Sequence, residues 1–190
     1  LEKPVVLVCG LSRRLNREDL MRPVLFHPVL GVGPKGLDRE RMVEYPTLAR
    51  RAVSRQLERE MMSEEMRLLY VAMTRAKEKL SLTLALTEGA KALERLAEDA
   101  AAPVSPVALE RQQSMGQWIL LHALTRPEGE ILRTLAGGGT ECSTPLGPAW
   151  SIRWIEGQGL EEAKSRAGRF VPVAREEDGE DLTAALTWTY

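Results

Sequence analysis

The sequence has no apolar run approaching the roughly 18 residues of a transmembrane helix, and its first residues lack the charged-then-apolar pattern of a signal peptide. We therefore expect no membrane partner and a cytoplasmic protein. Cysteine is scarce, since Cys9 and Cys142 are the only two, and their spacing does not fit a metal site. Cys9 lies in an apolar run, which predicts a small buried thiol.

Excess charge of either sign is also lacking, because 26 Lys and Arg residues face 27 Asp and Glu residues, which leaves −1 at pH 7. The chain as a whole therefore has no attraction to nucleic acid, and any such contact needs a local basic patch. The phosphate-binding pattern Gly-x-x-x-x-Gly-Lys-Ser/Thr is absent, as is an aspartate-rich strand end that could hold Mg²⁺. A complete P-loop nucleotide site is thus excluded from these residues, and we predict no metal site.

The first half of the sequence carries signals for a buried sheet. Residues 4–10, Pro-Val-Val-Leu-Val-Cys-Gly, predict a central parallel strand that is buried on both faces. Asn16, followed by two acidic residues, predicts the start of a short helix that ends before Pro23. Three glycines and three prolines between Pro28 and Pro46 predict an extended loop with little regular structure.

A long helical pattern follows. Thr47 is a suitable N-cap, and apolar residues then recur every three to five positions, which fits one helix of roughly 30 residues or two in near-continuation. The apolar positions are Leu48, Ala52, Leu57, Met61, Met66, Leu69, Met73, Ala76 and Leu80. Ser63, followed by two glutamates, favours a break near residue 62. Residues 81–86 alternate, which predicts a strand that returns to the sheet.

The second half of the sequence is predicted to be mainly helical, with glycine, proline and tryptophan marking its interruptions. The predicted elements are helices at Gly89–Ala102 and Ser114–Leu124, a linker at Ala136–Pro148, a strand at Trp150–Glu156, a helix at Gly159–Gly168 and an exposed acidic segment at Glu176–Asp181. The sequence therefore predicts an α/β fold, a partial parallel sheet with flanking helices that is followed by a mainly helical connector.

The segment from residue 64 to residue 77 reads Glu-Glu-Met-Arg-Leu-Leu-Tyr-Val-Ala-Met-Thr-Arg-Ala-Lys. Its apolar residues recur at the spacing of one helix face, and Arg75 lies where this helical pattern ends. An arginine keeps its charge at physiological pH, and its planar fork can pair two phosphate oxygens at once, so this position suits an arginine that contacts a phosphate. The alternative is an ordinary amphipathic helix with a surface arginine.

The residue pattern of this segment resembles the last signature motif of the UvrD/Rep-type DNA helicases, roughly Glu-Glu-x-Arg-Leu-x-Tyr-Val-Ala-x-Thr-Arg-Ala. The matching residues are Glu64, Glu65, Arg67, Leu68, Tyr70, Val71, Ala72, Thr74, Arg75 and Ala76. The first six residues, Leu-Glu-Lys-Pro-Val-Val, are similar to the end of the preceding family motif, Lys-Gly-Leu-Glu-Phe-Pro-Val-Val, with Lys3 in place of phenylalanine. The stretch between them is similar to the AddA branch of the bacterial AddAB helicase-nucleases.

The resemblance implies a role for two residues in binding ATP. Arg75 would sense and stabilise the γ-phosphate, and Glu2 would accept hydrogen bonds from the ribose. By the same resemblance the parent enzyme uses ATP and Mg²⁺, acts on single-stranded DNA and duplex ends, pairs with a second subunit of the AddAB type and works in the bacterial cytoplasm. Because the phosphate loop and metal ligands are absent, we expect these residues alone to bind and hydrolyse no ATP.

The resemblance also implies a division of the chain. Residues 1–87 would be the carboxy-terminal half of a second RecA-like lobe, residues 88–135 a helical connector, and residues 136–190 a linker and small segment leading toward a nuclease domain. Two alternatives stay open, a generic UvrD-type helicase lobe and a non-catalytic docking module for a partner subunit. The loop patterns around Gly31 and Tyr45 favour the AddA branch over the generic lobe.

Three sets of side chains allow a functional and a structural interpretation. Arg51, Arg55 and Arg59 could contact phosphates along one stripe, but with Glu58 and Glu60 at hand we expect a solvated face paired with acids. The four tryptophans could stack on single-stranded bases, but no basic cluster flanks them, so we expect packing. The tryptophans are Trp118, Trp150, Trp154 and Trp188. The two histidines, His27 and His122, have no evident ligand or nucleophile partner and are expected to pack.

Overall fold

The computed structural model describes residues 2–139, 142 and 147–167. The chain divides into two units, Leu1–Ile152 and Arg153–Tyr190. The described part of the second unit contains a helix, α6 (Gly157–Ala167). That helix confirms the one predicted from residue 159, whereas the predicted acidic segment Glu176–Asp181 and Trp188 lie outside the described residues. In the described part of the chain no helix is long and apolar enough to cross a membrane.

Two parallel strands, β1 (Lys3–Val8) and β5 (Ala76–Leu82), pair along their whole length. Lys3 lies opposite Ala76 and Val8 opposite Leu82, with an irregularity between Lys3 and Val5. Pro4 occupies the irregular position, where its missing N–H cannot serve the ladder. A mixed α/β fold with a parallel pair of strands is therefore present, as the sequence predicted.

The prediction that the first strand is buried on both faces is wrong. Val5 and Leu7 are 59% and 61% exposed, whereas Val6 and Val8, on the opposite face, are partly buried. Successive side chains of a strand point to opposite faces, and the described residues cover one face of this pair, through the helix that lies between the two strands in sequence. Cys9 is exposed for the same reason and is not the buried thiol that its apolar neighbours suggested.

Three antiparallel strands, β2 (Val24–His27), β3 (Gly31–Asp38) and β4 (Val43–Pro46), form a second sheet in the order β2-β3-β4. The prediction of an extended loop over residues 28–46 is therefore wrong. The strand β3 changes partner halfway, because residues 31–34 pair with β2 and residues 35–38 pair with β4. Pro34 lies in the last pair with β2, so its missing N–H interrupts neither ladder.

Glycine serves two purposes inside β3 that a loop prediction overlooks. The ring of Tyr45 on β4 lies directly over Gly36, in the space that a side chain would occupy. At Gly33 a Cβ atom would lie 2.8 Å from the Cα atom of Arg50, so the absence of a side chain lets the sheet approach a helix closely.

That helix, α1 (Leu48–Met73), is continuous over 26 residues. The predicted N-cap is confirmed, since the Thr47 Oγ atom accepts a hydrogen bond from the Arg50 N–H at 3.1 Å. The predicted break near residue 62 is wrong, and the single-helix alternative is correct. Met62 is only 7% exposed and continues the buried stripe formed by Val53 and Leu69, so packing favours an unbroken helix across Ser63.

Arg50 fastens α1 to the chain that precedes β2. Its side chain is 8% exposed, and its guanidinium donates to the Pro23 carbonyl oxygen at 2.9 Å and to the Leu20 carbonyl oxygen at 3.1 Å. Leu20 lies in a short 3-10 helix, Glu18–Met21, which confirms the predicted short helix before Pro23. The Asn16 Oδ1 atom accepts a hydrogen bond from the Glu18 N–H at 2.9 Å, but the N-cap residue of this helix is Arg17 and not Asn16.

Further along the chain α1 joins the main core. Leu11, Met62, Leu69 and Trp118 form a buried cluster. Val8 and Leu82, from the two parallel strands, pack against it, which places α1 between the parallel pair and the helices that follow. The chain after α1 enters β5 at Ala76, so the strand predicted at residues 81–86 begins earlier and ends at Leu82.

Four α-helices and a 3-10 helix, Pro127–Gly129, follow in the described part of the first unit. The α-helices are α2 (Gly89–Asp99), α3 (Pro106–Arg111), α4 (Met115–Thr125) and α5 (Glu130–Leu135). The predicted helices at residues 89 and 114 are confirmed as α2 and α4. α3 was not predicted, although Ser105 caps it and Pro106 follows, which is a typical start signal. α5 spans six residues, too few for a periodic pattern. The predicted strand from Trp150 is wrong, because residues 149–156 form neither helix nor strand.

Trp150 instead closes a polar cluster with Arg126 and Glu128. Arg126 is 1% exposed, and its guanidinium donates to both Glu128 carboxylate oxygens at 3.0 and 3.2 Å and lies 4.8 Å from the Trp150 ring centroid. The Trp150 N–H donates to the same carboxylate at 3.0 Å. The hydrogen bonds from Arg126 and Trp150 lower the pKa of Glu128 to about 2. The cluster thus fixes Trp150 against the end of α4.

The lowered pKa of Glu128 predicts a pH-dependent contribution to stability. A carboxyl group with a lowered pKa in the folded state stabilises that state above its ordinary pKa near 4.5, and the contribution is lost as the pH falls toward 2. Glu128→Gln should therefore lower the free energy of unfolding at pH 7, and its difference from the wild type should shrink between pH 5 and pH 2. Chemical denaturation at a series of pH values measures this. Glu94→Gln, which removes an exposed carboxylate on α2, is the control and should change stability little throughout.

A second prediction concerns the approach of β3 to α1. Gly33→Ala should destabilise the protein by about 1–3 kcal/mol, since the added methyl group would meet helix backbone that cannot move aside. Gly157→Ala is the control, because its Cβ atom meets nothing within 4 Å. Urea denaturation measures both, and equal stability of the two variants would contradict a tight sheet-to-helix contact.

Candidate nucleotide-binding site

Thr74 closes α1 and determines where Arg75 leaves the helix. The Thr74 N–H donates to the Tyr70 carbonyl oxygen at 3.0 Å, and its hydroxyl donates to the carbonyl oxygens of Tyr70 and Val71 at 2.9 and 3.1 Å. β5 begins two residues later, at Ala76. Arg75 is therefore the joint between a capped helix and a paired strand, so its backbone is held from both sides.

Glu2 lies next to Arg75, although the two are far apart in sequence. The Lys3 N–H donates to the Arg75 carbonyl oxygen at 2.8 Å, and Lys3 pairs with Ala76 across the parallel strands. Glu2 and Arg75 thus occupy equivalent positions, each directly before one of two neighbouring strands. Paired strands lie about 4.8 Å apart, so the structure brings the two predicted site residues together.

The charges of both side chains are available to a ligand. Glu2 and Arg75 are exposed, and neither makes a side-chain hydrogen bond or ion pair with another residue in the described part of the chain. Arg75 also follows the carboxyl end of α1, where the helix dipole favours a positive charge. A free guanidinium can donate to two phosphate oxygens, and an ionised carboxylate can accept from hydroxyl groups.

The remaining motif residues divide between pairing and exposure. Arg67 donates to both carboxylate oxygens of Glu64 at 2.6 and 2.8 Å, and these hydrogen bonds lower the pKa of Glu64 and raise that of Arg67. Leu69 is buried in the core, whereas Tyr70 is 66% exposed. Arg75 is therefore the arginine of this motif that lacks a partner in the described chain.

Among the residues that the structure describes, no three His, Cys, Asp or Glu side chains come together in a way that could hold a metal ion. A shallow cavity of about 450 Å³ opens at the carboxyl ends of β1 and β5, at the opposite end of the strands from Glu2 and Arg75. It is lined by Gly10, Ser12, Arg13, Thr83, Leu84 and Ala85.

The arginine stripe on α1 is exposed, but its acidic partner differs from the one predicted. Arg59 and Arg55 both approach Glu110 on α3, at 3.2 and 3.6 Å. Glu58 binds Arg17 at 3.0 Å, and Glu60 binds His27 at 2.9 Å, so neither neutralises the stripe. Local spacing in the sequence cannot predict an acidic partner that lies on another helix.

His27 and Trp118 are buried, as predicted, whereas the expectation that His122 packs is wrong, because its side chain is exposed. His27 is 4% exposed, its Nδ1 atom accepts from the N–H groups of Val29 and Leu30, and its Nε2 atom therefore donates to Glu60. Partial desolvation lowers the pKa of His122, whose ring lies edge-on to Trp150. Trp118 is 5% exposed, and its Nε1–H donates to the Leu109 carbonyl oxygen. Trp150 also contacts one basic residue, the buried Arg126, whose guanidinium lies 4.8 Å from the ring centroid.

Comparison with known proteins places these residues in a helicase family. A model of the UvrD-like helicase C-terminal domain matches residues 37–87, which include α1, Arg75 and β5. A protein of Heliobacterium modesticaldum, named among the A subunits of ATP-dependent helicase/nucleases, is 42% identical over 151 residues, which cover 77% of this chain and 11% of that protein.

Proteins with the same name occur in other bacteria. The one from Ruminiclostridium cellulolyticum is 34% identical over 98% of this chain and 15% of its own length, and the one from Bacillus cytotoxicus is 32% identical over 100% of this chain and 16% of its own length. The chain thus spans 11–16% of the length of these relatives. The similarity runs through the whole chain and includes the motif that contains Arg75. On this ground the chain belongs to the family of the A subunits of ATP-dependent helicase/nucleases, within the UvrD-like helicases.

Proposed function

We propose that this chain is part of the second RecA-like lobe of an ATP-dependent DNA helicase/nuclease, in which Arg75 contacts the γ-phosphate of ATP and Glu2 contacts the ribose. The observation that carries the proposal is the hydrogen bond from the Lys3 N–H to the Arg75 carbonyl oxygen. It holds a free guanidinium and a free carboxylate side by side, and these two groups match the phosphate and hydroxyl ends of a nucleotide.

The rest of the nucleotide site would come from elsewhere in the protein. Ligands of open α/β sheets usually bind at the carboxyl ends of the strands, whereas Glu2 and Arg75 precede the amino ends of β1 and β5. The sequence also contains no phosphate loop. Arg75 and Glu2 would therefore reach a nucleotide held mainly by another lobe, and the chain by itself would bind no ATP. Mg²⁺ would neutralise phosphate charge at a position outside the described residues.

Arg75 would act mainly on the transition state of hydrolysis. Negative charge spreads over the phosphoryl oxygens as the bond to the leaving group breaks, and a rigidly held bidentate donor stabilises that charge. The backbone of Arg75 is fixed by the Thr74 cap and by the strand pair, so little reorganisation is needed when the lobes close. Opening and closing of the cleft in each cycle would move the two lobes along single-stranded DNA.

Partners and domain organisation belong to the same proposal. Residues 1–87 would form the lobe, residues 88–135 a helical connector that contains α2 to α5, and residues 136–190 a linker toward a nuclease domain. Single-stranded DNA, duplex ends and a second subunit of the AddAB type would be the partners, in the bacterial cytoplasm. The identity to the helicase/nuclease relatives supports this assignment over a generic UvrD-type lobe.

A docking module is a second candidate, because one face of the antiparallel sheet is apolar and exposed. The pairing register places Phe26 opposite Val32 and Tyr45 opposite Gly36, on the face turned away from α1. The exposed side chains of this outer sheet face are Val24, Phe26, Val32, Val43 and Tyr45, each 51–66% exposed. Aromatic and branched apolar side chains in one patch are typical of protein interfaces.

The proposed role of Arg75 is tested in the full-length protein. Arg75→Ala should lower kcat for ATP hydrolysis by about 10³- to 10⁵-fold, which corresponds to about 4–7 kcal/mol of transition-state stabilisation, and should leave ATP affinity and the melting temperature nearly unchanged. Arg75→Lys should fail almost as badly, because lysine keeps the charge but loses the fork. Arg39→Ala, at an exposed arginine in the β3–β4 turn, is the matched control. Near-normal turnover in Arg75→Ala would refute the role.

The docking candidate has a separate test. Phe26→Ser combined with Tyr45→Ser should weaken binding of the second subunit by more than tenfold, since exposed aromatic residues commonly dominate interface energies. Val29→Ser changes an apolar residue that is 85% exposed in the β2–β3 turn, outside the outer sheet face, and should have no effect. Isothermal titration calorimetry distinguishes the two variants, and equal affinities would rule the docking surface out.

A further inference from the structure

A groove runs beside the first turns of α1 that the nucleotide site does not use. It encloses about 350 Å³ between the end of β4 and the helix. Its lining residues are Pro46, Arg50, Arg51, Ser54, Arg55 and Glu58. Residues three and four apart share a helix face, so Arg51, Ser54 and Arg55 present two guanidinium groups and a hydroxyl to the same space. These three side chains can all donate hydrogen bonds.

The positive charge of this groove is not balanced by the carboxylates around it. Glu58, the acidic residue in the lining, already binds Arg17. Glu110 is shared, with a hydrogen bond to Arg59 at 3.2 Å and only a 3.6 Å approach to Arg55. Arg51 makes no ion pair within the described residues. Arg51 therefore has no carboxylate partner among the described residues, and Arg55 and Arg59 share the single carboxylate of Glu110.

Arg50 adds a third positive charge at the back of the groove. Its guanidinium is buried and donates to the carbonyl oxygens of Leu20 and Pro23, which are neutral groups. Glu44 lies near enough for the charge of Arg50 to lower its pKa, but that carboxylate binds Lys35 at 2.8 Å. A buried charge that is bonded only to neutral partners exerts a field that solvent screens weakly. An anion in the groove would lie within that field.

The arrangement is unfavourable for the helix itself. The first turn of α1 contains no acidic residue and does contain Arg50 and Arg51, although the positive end of the helix dipole favours acidic side chains there. Arg51 and Arg55 are also like charges four residues apart, which destabilise a helix. Local rules broken together in this way are expected at functional or strained sites.

We propose that this groove binds backbone phosphates of single-stranded DNA through Arg51, Ser54 and Arg55. The ligand chemistry is a phosphodiester, since paired guanidinium forks and a hydroxyl match phosphate oxygens. The groove contains no exposed aromatic residue for stacking, so it holds the strand without reading its sequence. The proposal rests on the proposed function for its source of DNA, and it adds a contact apart from Glu2 and Arg75.

The salt dependence of DNA binding by the full-length protein tests this proposal. Each phosphate neutralised on a single strand contributes about 0.7 to the slope of log affinity against log salt concentration. Arg51→Ala combined with Arg55→Ala should therefore make the slope shallower by about 1.4, measured by fluorescence anisotropy with a labelled oligonucleotide in the absence of ATP. Arg51→Lys combined with Arg55→Lys should retain the wild-type slope because both charges remain.

Arg39→Ala combined with Arg41→Ala is the matched control, since it removes two exposed arginines from the β3–β4 turn. The proposal is overturned if this control flattens the slope as much as the groove variant does, or if the groove variant leaves the slope unchanged. The melting temperature of the groove variant without DNA should not fall, because the substitutions relieve repulsion between like charges. A marked fall would mean that the arginines serve the fold instead.

A free phosphate ion is distinguished from a strand by a thermal-shift arm. Inorganic phosphate and chloride are compared at equal ionic strength, with wild-type protein and the groove variant. If phosphate raises the melting temperature of the wild type but not of the groove variant, and the variant leaves the salt slope of DNA binding unchanged, the groove binds a small anion. That outcome would overturn the DNA assignment. ATP turnover of the wild type and its loss in Arg75→Ala report on the proposed function separately. If the wild type hydrolyses ATP, Arg75→Ala does not, and the groove variant leaves the salt slope of DNA binding unchanged, the groove proposal is refuted and the proposed function is not.

Discussion

The uninterrupted course of α1 is the constraint on which the first unit depends. At 1.5 Å per residue, its 26 residues extend for about 39 Å and reach from the antiparallel sheet to the start of β5. At one end Gly33 allows backbone contact and Arg50 ties the helix to Leu20 and Pro23. At the other end Thr74 stops the helix at the residue before Arg75. The two sheets and the arginine are therefore positioned by one rigid element.

The helix dipole acts in opposite ways on the arginines at the two ends of α1. Arg75 follows the carboxyl end, where the dipole favours a cation, so its unpaired charge destabilises the protein little before an anion binds. The arginines of the first turn lie at the amino end, where the dipole opposes them. The same residue type is thus stabilised by the helix at one end and by contacts outside the helix at the other, with Arg50 bonded to two carbonyl groups.

Local signals in the sequence are sufficient for some elements and not for others. Thr47 marks the start of α1 and Ser114 that of α4, because a capping hydroxyl acts within three residues. The antiparallel sheet escapes prediction since glycine and proline in β3 are typical loop residues. Their roles depend on partners far along the chain, namely Tyr45 over Gly36 and Arg50 against Gly33. Ser63 has the composition of a cap, yet the burial of Met62 carries the helix through it.

The same distinction holds for the candidate site. Arg75 stands out in the sequence by its position at the end of a helical pattern and by the family motif around it. Its place beside Glu2 follows from the register of two parallel strands, which no local spacing encodes. The buried guanidinium groups of Arg50 and Arg126 escape prediction because burial of a charge depends on carbonyl and carboxylate partners, such as Glu128, that only the fold supplies.

The link between β1 and Arg75 also explains why position 3 can differ from the family pattern. The bond to the Arg75 carbonyl oxygen comes from the main-chain N–H of Lys3, and the Lys3 side chain is exposed. Replacement of phenylalanine by lysine therefore leaves the placement of the arginine untouched. Proline is the exception, since it has no N–H to donate. The bond does not depend on the chemistry of the side chain at position 3, but substitution by proline would release the arginine from the neighbouring strand.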